Sequence, residues 1–348
     1  MREPIPDHDK LNNFDGLRLF AALLVLFSHQ FVFLGSTEPA PVGDSLGMVA
    51  VMMFFVMSGY LVSESWYRDP HLMRFASRRL LRIWPGLAAA AVAIALVSAA
   101  ITVLPLHDYF GSGTRKFILA NFKFETIYRL PGVFDTVPAN PSLSAVNGSW
   151  WTIPVEARCY AYLAVLGAIG MRRRLLSVVV LGLVTLMYVK TLPGHSKADP
   201  FDNISFFYTA FFMTGVCARQ YIEELQRHRL ALLGAIAVVI VTAVAFDQPR
   251  LGEWAVIAPL TLVLGSLSTP VIRSANRFGD LSYGIYLYAY FLQQLTVRLW
   301  PGQPSFGASV TIATLATVMV AWCSWHAVEA PSLRLKHRLR RWFPNAAA

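Results

Sequence analysis

Apolar runs recur along the chain from about residue 17 to residue 328, separated by short polar and basic breaks. A helix needs about 20 such residues to cross ~30 Å of hydrocarbon. Ten runs qualify as spans, at roughly 17–36, 44–66, 83–104, 149–170, 175–191, 203–222, 230–246, 252–271, 281–299 and 306–328. Of the 348 residues, 55% are hydrophobic and 14% charged, where soluble domains carry about a quarter charged residues. A soluble fold of this length would leave large sticky patches, whereas lipid solvates them. The expectation is an all-α polytopic membrane bundle of about ten helices. A polar segment (1–15) precedes the transmembrane domain (16–328), and a basic segment (329–348) follows it.

The net charge of +10 does not read as a nucleic-acid binder, because the cations sit in clusters between apolar runs and not on one face of a polar domain. They read as topology signals. With the N-terminus inside, twenty of the thirty Lys and Arg fall on inner segments and eight on outer ones. Both termini are therefore expected in the cytoplasm of a cell in whose inner membrane the chain sits. The N-terminus lacks a signal-peptide pattern, so the first span is expected to remain. Cys159, Cys217 and Cys323 lie within apolar runs without metal or disulfide spacing, and read as packing residues. The basic tail reads as an anchor on anionic lipid. The long outer segment, 105–148, reads as a functional loop or a cover.

Ionisable residues inside spans cost several kcal/mol and need a reason. Arg18 and His29 are eleven positions apart on the first span, so they share a helix face with a rise of ~16 Å between them. Arg18 reads as a snorkelling anchor or a functional cation. His29 reads as a packing histidine or as a general base in a wet cavity. On the second span Ser58 lies near mid-depth, and Ser58 and Gly59 allow close backbone approach or admit a ligand. Arg79 and Arg82, spaced i,i+3, serve the positive-inside rule or hold phosphate, which arginine forks match. Pro85 fits a helix start or a break. Trp150 and Trp151 read as outer-interface anchors, with Glu156 ~8 Å deeper. Glu156 orients His29 or pairs with Arg158 or Arg18. Tyr283, Tyr286, Tyr288 and Tyr290 are too many hydroxyls for a lipid-facing helix.

FDGLR with Arg18, ten intervening residues and His29 are followed in order by FFVMSGYL, RRLLRIWP, SWWTIPVE, LSYGIYLY and VEAPSLRLK. Together they resemble the acyltransferase-3 family of membrane acyltransferases over about 14–337. The resemblance implies a membrane O-acyltransferase moving an acyl group, acetyl foremost, from cytosolic acyl-coenzyme A to a hydroxyl of an extracytoplasmic or lipid-linked glycan. It implies His29 as catalytic, Arg18 as essential, Arg79 and Arg82 as donor-binding, and Glu156 in the active region. Ser58, Gly59, Trp151, Tyr283 and Tyr286 are further candidate substrate-binding residues. Acyl-coenzyme A is a co-substrate, and no tightly bound cofactor or metal is expected. Two places depart from the family: Pro154, Val155, Glu156 and Ala157 stand where many relatives have Ser-Val-Glu-Glu, and Tyr288 and Ala289 stand where many have a histidine. A stand-alone member without a fused hydrolase-like domain is expected. The alternative is a proton-coupled transporter or flippase using His29 and Glu156. The lack of a clear internal repeat counts weakly against it.

Overall fold

The computed structural model describes residues 12–40, 44–134, 141–170, 174–191, 200–246 and 249–344, and among them finds helices and no strands. The principal helices are α1 (Phe14–Phe33), α2 (Leu46–Arg68), α3 (Leu72–Ser98), α4 (Ser112–Phe122), α5 (Thr152–Gly170) and α6 (Arg174–Lys190). They continue as α7 (Pro200–Gln220), α8 (Arg229–Ala245), α9 (Pro249–Ser266), α10 (Leu281–Leu299) and α11 (Phe306–Ser324). Each of the ten apolar runs is helical, and the assembly is an all-α membrane bundle. Five helical stretches are long and apolar enough to cross a bilayer by themselves; the helical parts 230–245 and 252–266 are shorter. Five of the Lys and Arg in that count, Arg2, Lys10, Arg172 and Arg173 on the inner side and Lys197 on the outer, lie outside the described residues.

Local chemistry sets the helix starts. Ser45 accepts from the Met48 amide at 3.2 Å and Ser305 from that of Ala308 at 3.3 Å, satisfying donors that a first turn leaves open. The Phe14 amide donates to Asn12 Oδ1, and the Asn13 amide to the Gly265 carbonyl, so α1 begins three residues earlier than hydropathy suggests. α3 also starts early and runs through Pro85, which is neither its start nor its end. The arginine-rich stretch is thus already helical.

Small residues bring the central helices together, as expected where lipid offers no hydrophobic drive for association. A Cβ on Gly59 would lie 1.9 Å from the Phe212 carbonyl oxygen, and one on Gly215 would lie 2.2 Å from that of Val56. α2 and α7 therefore touch backbone to backbone, and α2 is the most buried candidate span.

The segment 105–148 is only partly a loop. A turn at Leu106–Tyr109 leads into α4, which lies along α3: Tyr109 donates to the Ala95 carbonyl at 2.6 Å, and Trp84 to that of Phe122 at 3.0 Å. Residues 135–140 of this stretch lie outside the described residues. The chain before α5 then enters the bundle interior. Asn147 Nδ2 and Trp150 Nε1 both donate to the Leu287 carbonyl, at 2.6 and 3.2 Å, well short of the Leu299 end of α10. Trp150 is wholly buried, which overturns its reading as an interface anchor. Irregular backbone at such depth survives only where protein satisfies its polar groups.

Candidate active site

α1, α2, α3, α5 and α10 converge on a cavity of about 410 Å³. Arg18, Ser58, Arg79, Arg82, Glu156, Tyr283 and Tyr286 all line it. The sequence had placed these seven on five separate segments, and the fold brings them to one chamber.

One part of the chamber is acid–base in character. Tyr160 donates to Glu156 Oε1 at 2.5 Å, and Ser58 Oγ lies 3.2 Å from both that oxygen and the Tyr160 hydroxyl. Glu156 and Tyr160 are one turn apart on α5, so they share a face, and Ser58 meets them from α2. Glu156 thus engages hydroxyls, whereas Arg158 donates to Ser205 Oγ at 3.1 Å; the pairing of Glu156 with Arg158 considered from the sequence is not formed. Nearby, Tyr286 donates to the Ser149 carbonyl at 2.5 Å and sits 2.7 Å from Thr152 Oγ1. With its one proton committed, Tyr286 accepts from Thr152. These bonds pin the first turn of α5 to α10.

The adjoining part is cationic: Arg18, Arg78, Arg79, Arg82 and Lys336 line the cavity together with the carboxylates of Glu156 and Asp280. The arginines are not equivalent. Asp69 binds Arg74 at 2.6 Å and also Arg78. Its carboxyl is held down at about 2, mainly by the Arg74 hydrogen bond and then by Arg78. Arg82 pairs with Asp280 at 2.7 Å and lies 5.6 Å from the Tyr283 ring centroid. Arg18 approaches Asp15 at 3.9 Å. Arg79 has no carboxylate partner among the described residues. Its Nη2 lies 3.4 Å from Ser65 Oγ, its Nε is buried without a partner, and its guanidinium sits 5.8 Å from the Phe75 and Tyr160 rings. A guanidinium kept from carboxylates among aromatic faces is placed to receive an anion.

Three candidates stand elsewhere. Gly59 faces α7, and its role there is the close helix contact described above. Trp151 packs its ring 5.3 Å from that of Tyr208 and does not line the cavity. His29 also lies outside it. Its ring is 5.1 Å from Tyr290 and 6.4 Å from Phe33, and its Nδ1 is buried without a partner. Tyr290 follows Tyr286 by one turn of α10, a rise of ~6 Å, so His29 lies beyond the Tyr286 wall of the chamber.

Sequence reasoning missed Tyr160, Thr152, Asp280 and Lys336. Tyr160 was findable as the residue four after Glu156. Asp280, immediately before LSYGIYLY, carried the signal of an acid at a helix start. Among the described residues no cluster of His, Cys, Asp or Glu is arranged to hold a metal ion.

The chain is thus an all-helical membrane bundle whose chamber sets hydroxyls around a carboxylate beside a cationic wall. Residues 11–327 match the acyltransferase domain model of the acyltransferase-3 family, and the chain belongs to that family of O-acyltransferases. It is 26% identical over 338 residues to the O-acetyl transferase of Shigella phage Sf6, covering 92% of this chain and 95% of that one. It is 29% identical to Nodulation protein 10 of Rhizobium leguminosarum bv. viciae, covering 94% of this chain and 95% of that one. It is 24% identical to the peptidoglycan O-acetyltransferase OatA of Listeria monocytogenes serovar 1/2a, covering 91% of this chain and 55% of that longer one. No solved structure matches the chain.

Proposed function

We propose that this chain moves an acetyl group from acetyl-coenzyme A, bound from the cytoplasm, to a hydroxyl of a glycan on the far side of the inner membrane or carried on a lipid. The observation that carries this reading is the union, in one chamber, of the carboxylate-free Arg79 and the Ser58–Tyr160–Glu156 cluster. Two relatives named for O-acetyl transfer, one of them acting on peptidoglycan, support the acetyl group and a glycan acceptor. The basic end of the bundle faces the cytoplasm under the positive-inside rule, and the chain crosses the membrane several times.

The donor's diphosphate meets Arg79 and Arg82, and its thioester extends toward Ser58 and Tyr286. The acceptor hydroxyl arrives from the His29 side. His29, behind the Tyr286 wall, removes its proton once the acceptor hydroxyl has come between that wall and the thioester, and the oxygen attacks the thioester carbon. The Ser58 and Tyr160 hydroxyls, with their protons on Glu156, form the polar wall beside the thioester. The carbon–sulfur bond then breaks, and coenzyme A leaves as a thiolate that takes up a proton. Arg18 adds positive charge at the mouth, and Glu156 orders the two hydroxyls.

The test is transfer of radiolabelled acetyl from acetyl-coenzyme A to envelope glycans by membranes holding the wild-type or the His29→Ala chain. Label in glycan from the wild type alone, with donor binding retained in the variant, is the expected result. Full labelling by His29→Ala overturns the base assignment. Absence of any coenzyme A-dependent transfer overturns the donor, and favours a transporter.

A further inference from the structure

A second cavity opens at the basic end, and the reaction above leaves it without a task. It measures about 920 Å³, and Ser65 and Arg78 line it as well as the first chamber. Ser65 is also the residue that Arg79 reaches at 3.4 Å. The two spaces therefore adjoin at the mouth where the donor's diphosphate is placed.

The walls of this vestibule differ from those of the chamber. Tyr60 presents a ring backed by buried Phe14, with centroids 5.2 Å apart at 30°. The Arg219 guanidinium lies 5.9 Å from the Tyr60 ring. Glu64 takes one edge of the Arg219 fork, Nε and Nη2, and accepts from Arg68 Nε at 3.0 Å. Arg68, Arg78 and Arg219 thus meet two carboxylates, Glu64 and Asp69, around a space large enough for a ligand. A flat guanidinium face held over an aromatic ring accepts a nucleobase on its outer side by stacking. An arginine fork engaged at one edge only keeps donors for phosphate.

A coenzyme A thioester is long and carries three phosphates: two between pantetheine and ribose, and one on the ribose. The 410 Å³ chamber suits the acyl-pantetheine arm and the diphosphate, so the nucleotide has to lie beyond Ser65 and Arg78. Resting on the donor reading given above, we propose that the vestibule seats the donor's nucleotide half. Adenine lies on the outer plane of the Arg219 guanidinium, which Tyr60 backs, and the ribose phosphate lies on Arg219 and Arg68. This assigns α2 and α7 a role in recognising which thioesters enter.

Steady-state transfer from three donors tests it: acetyl-coenzyme A, acetyl-dephospho-coenzyme A (which lacks the ribose phosphate) and S-acetyl-phosphopantetheine (which lacks the nucleotide). The wild type is expected to show a KM about tenfold higher for the dephospho donor with kcat little changed. Arg219→Ala should raise KM for acetyl-coenzyme A by about tenfold and leave KM for S-acetyl-phosphopantetheine where it was. Should the lone substitution strand Glu64 and impair folding, the charge-balanced pair Arg219→Ala with Glu64→Ala carries the same expectation. Equal KM for coenzyme A and its dephospho form in the wild type overturns the proposal, as does an equal KM rise on the truncated donor in the variant. Either result leaves the donor reading intact. A wild type that takes acetyl from none of the three overturns both.

Discussion

Glu156 and Tyr160, one turn apart on α5, share a hydrogen bond of 2.5 Å whose acceptor oxygen also lies 3.2 Å from Ser58 Oγ. Two helices thus hold two hydroxyls on one carboxylate at the chamber wall. Glu156→Gln keeps the size but gives up the charge-assisted acceptor, so both hydroxyls lose their orientation. Transfer is expected to fall about 10²-fold or more, with near-normal melting in detergent. Tyr160→Phe and Ser58→Ala should each cost less. The loss from Tyr160→Phe should largely vanish in the Glu156→Gln background, as a double-mutant cycle on transfer rate would reveal.

Arg79 and Arg74 differ in what they face. Arg79→Lys keeps the charge and loses the fork, and is expected to raise donor KM about tenfold without lowering the melting temperature. Arg74 bonds Asp69 and the Phe343 carbonyl and does not line the chamber, so Arg74→Ala should lower the melting temperature and leave donor KM unchanged. Kinetics and melting of the two variants side by side decide the matter; a donor effect from Arg74→Ala would contradict the division.

Gly59 provides a packing test independent of chemistry. Gly59→Ala forces a methyl group to within 1.9 Å of the Phe212 carbonyl oxygen, so α2 and α7 must separate at a cost of about 1–3 kcal/mol. The variant should melt lower or express poorly. Gly182→Ala on α6, where a Cβ meets nothing within 4 Å, should be neutral or slightly stabilising.

The turn between α2 and α3 has a defined response to acid. Asp69 titrates at about 2 in the folded chain against 3.8 ordinarily. A depressed carboxyl stabilises the fold fully above its unfolded value, and that contribution is lost as pH falls through the folded value. Melting temperature should therefore drop between pH about 4 and 2, and part of that drop should be missing in Asp69→Asn, which starts lower at neutral pH. Identical acid profiles would remove Asp69 from the account.

The bundle was legible because bilayer crossing demands length and apolarity, which hydropathy reads directly. Costly residues were equally legible: Arg18, Ser58, Arg79, Arg82 and Glu156 line one chamber. Hydropathy could not report depth. Trp150 looks the same at an interface as beneath one, and only its bond to the Leu287 carbonyl shows that the segment before α5 goes inside. Nor could it separate Ser58 from Gly59, adjacent residues that face the cavity and α7 respectively. Asp280 was obscure because its partner, Arg82, is 198 positions away. His29 shares a face with Arg18, but that face passes from the chamber to the far side of Tyr286.

The bolting of Asn147 and Trp150 onto the Leu287 carbonyl also constrains the order of assembly. During synthesis the segment before α5 leaves the ribosome more than a hundred residues ahead of α10. Until α10 is made, the Asn147 amide and the Trp150 indole N–H have no Leu287 carbonyl to meet and must wait in contact with water. Insertion of this part of the chain is therefore completed late and from the far end, and truncations that stop before α10 should leave residues 145–151 open to protease.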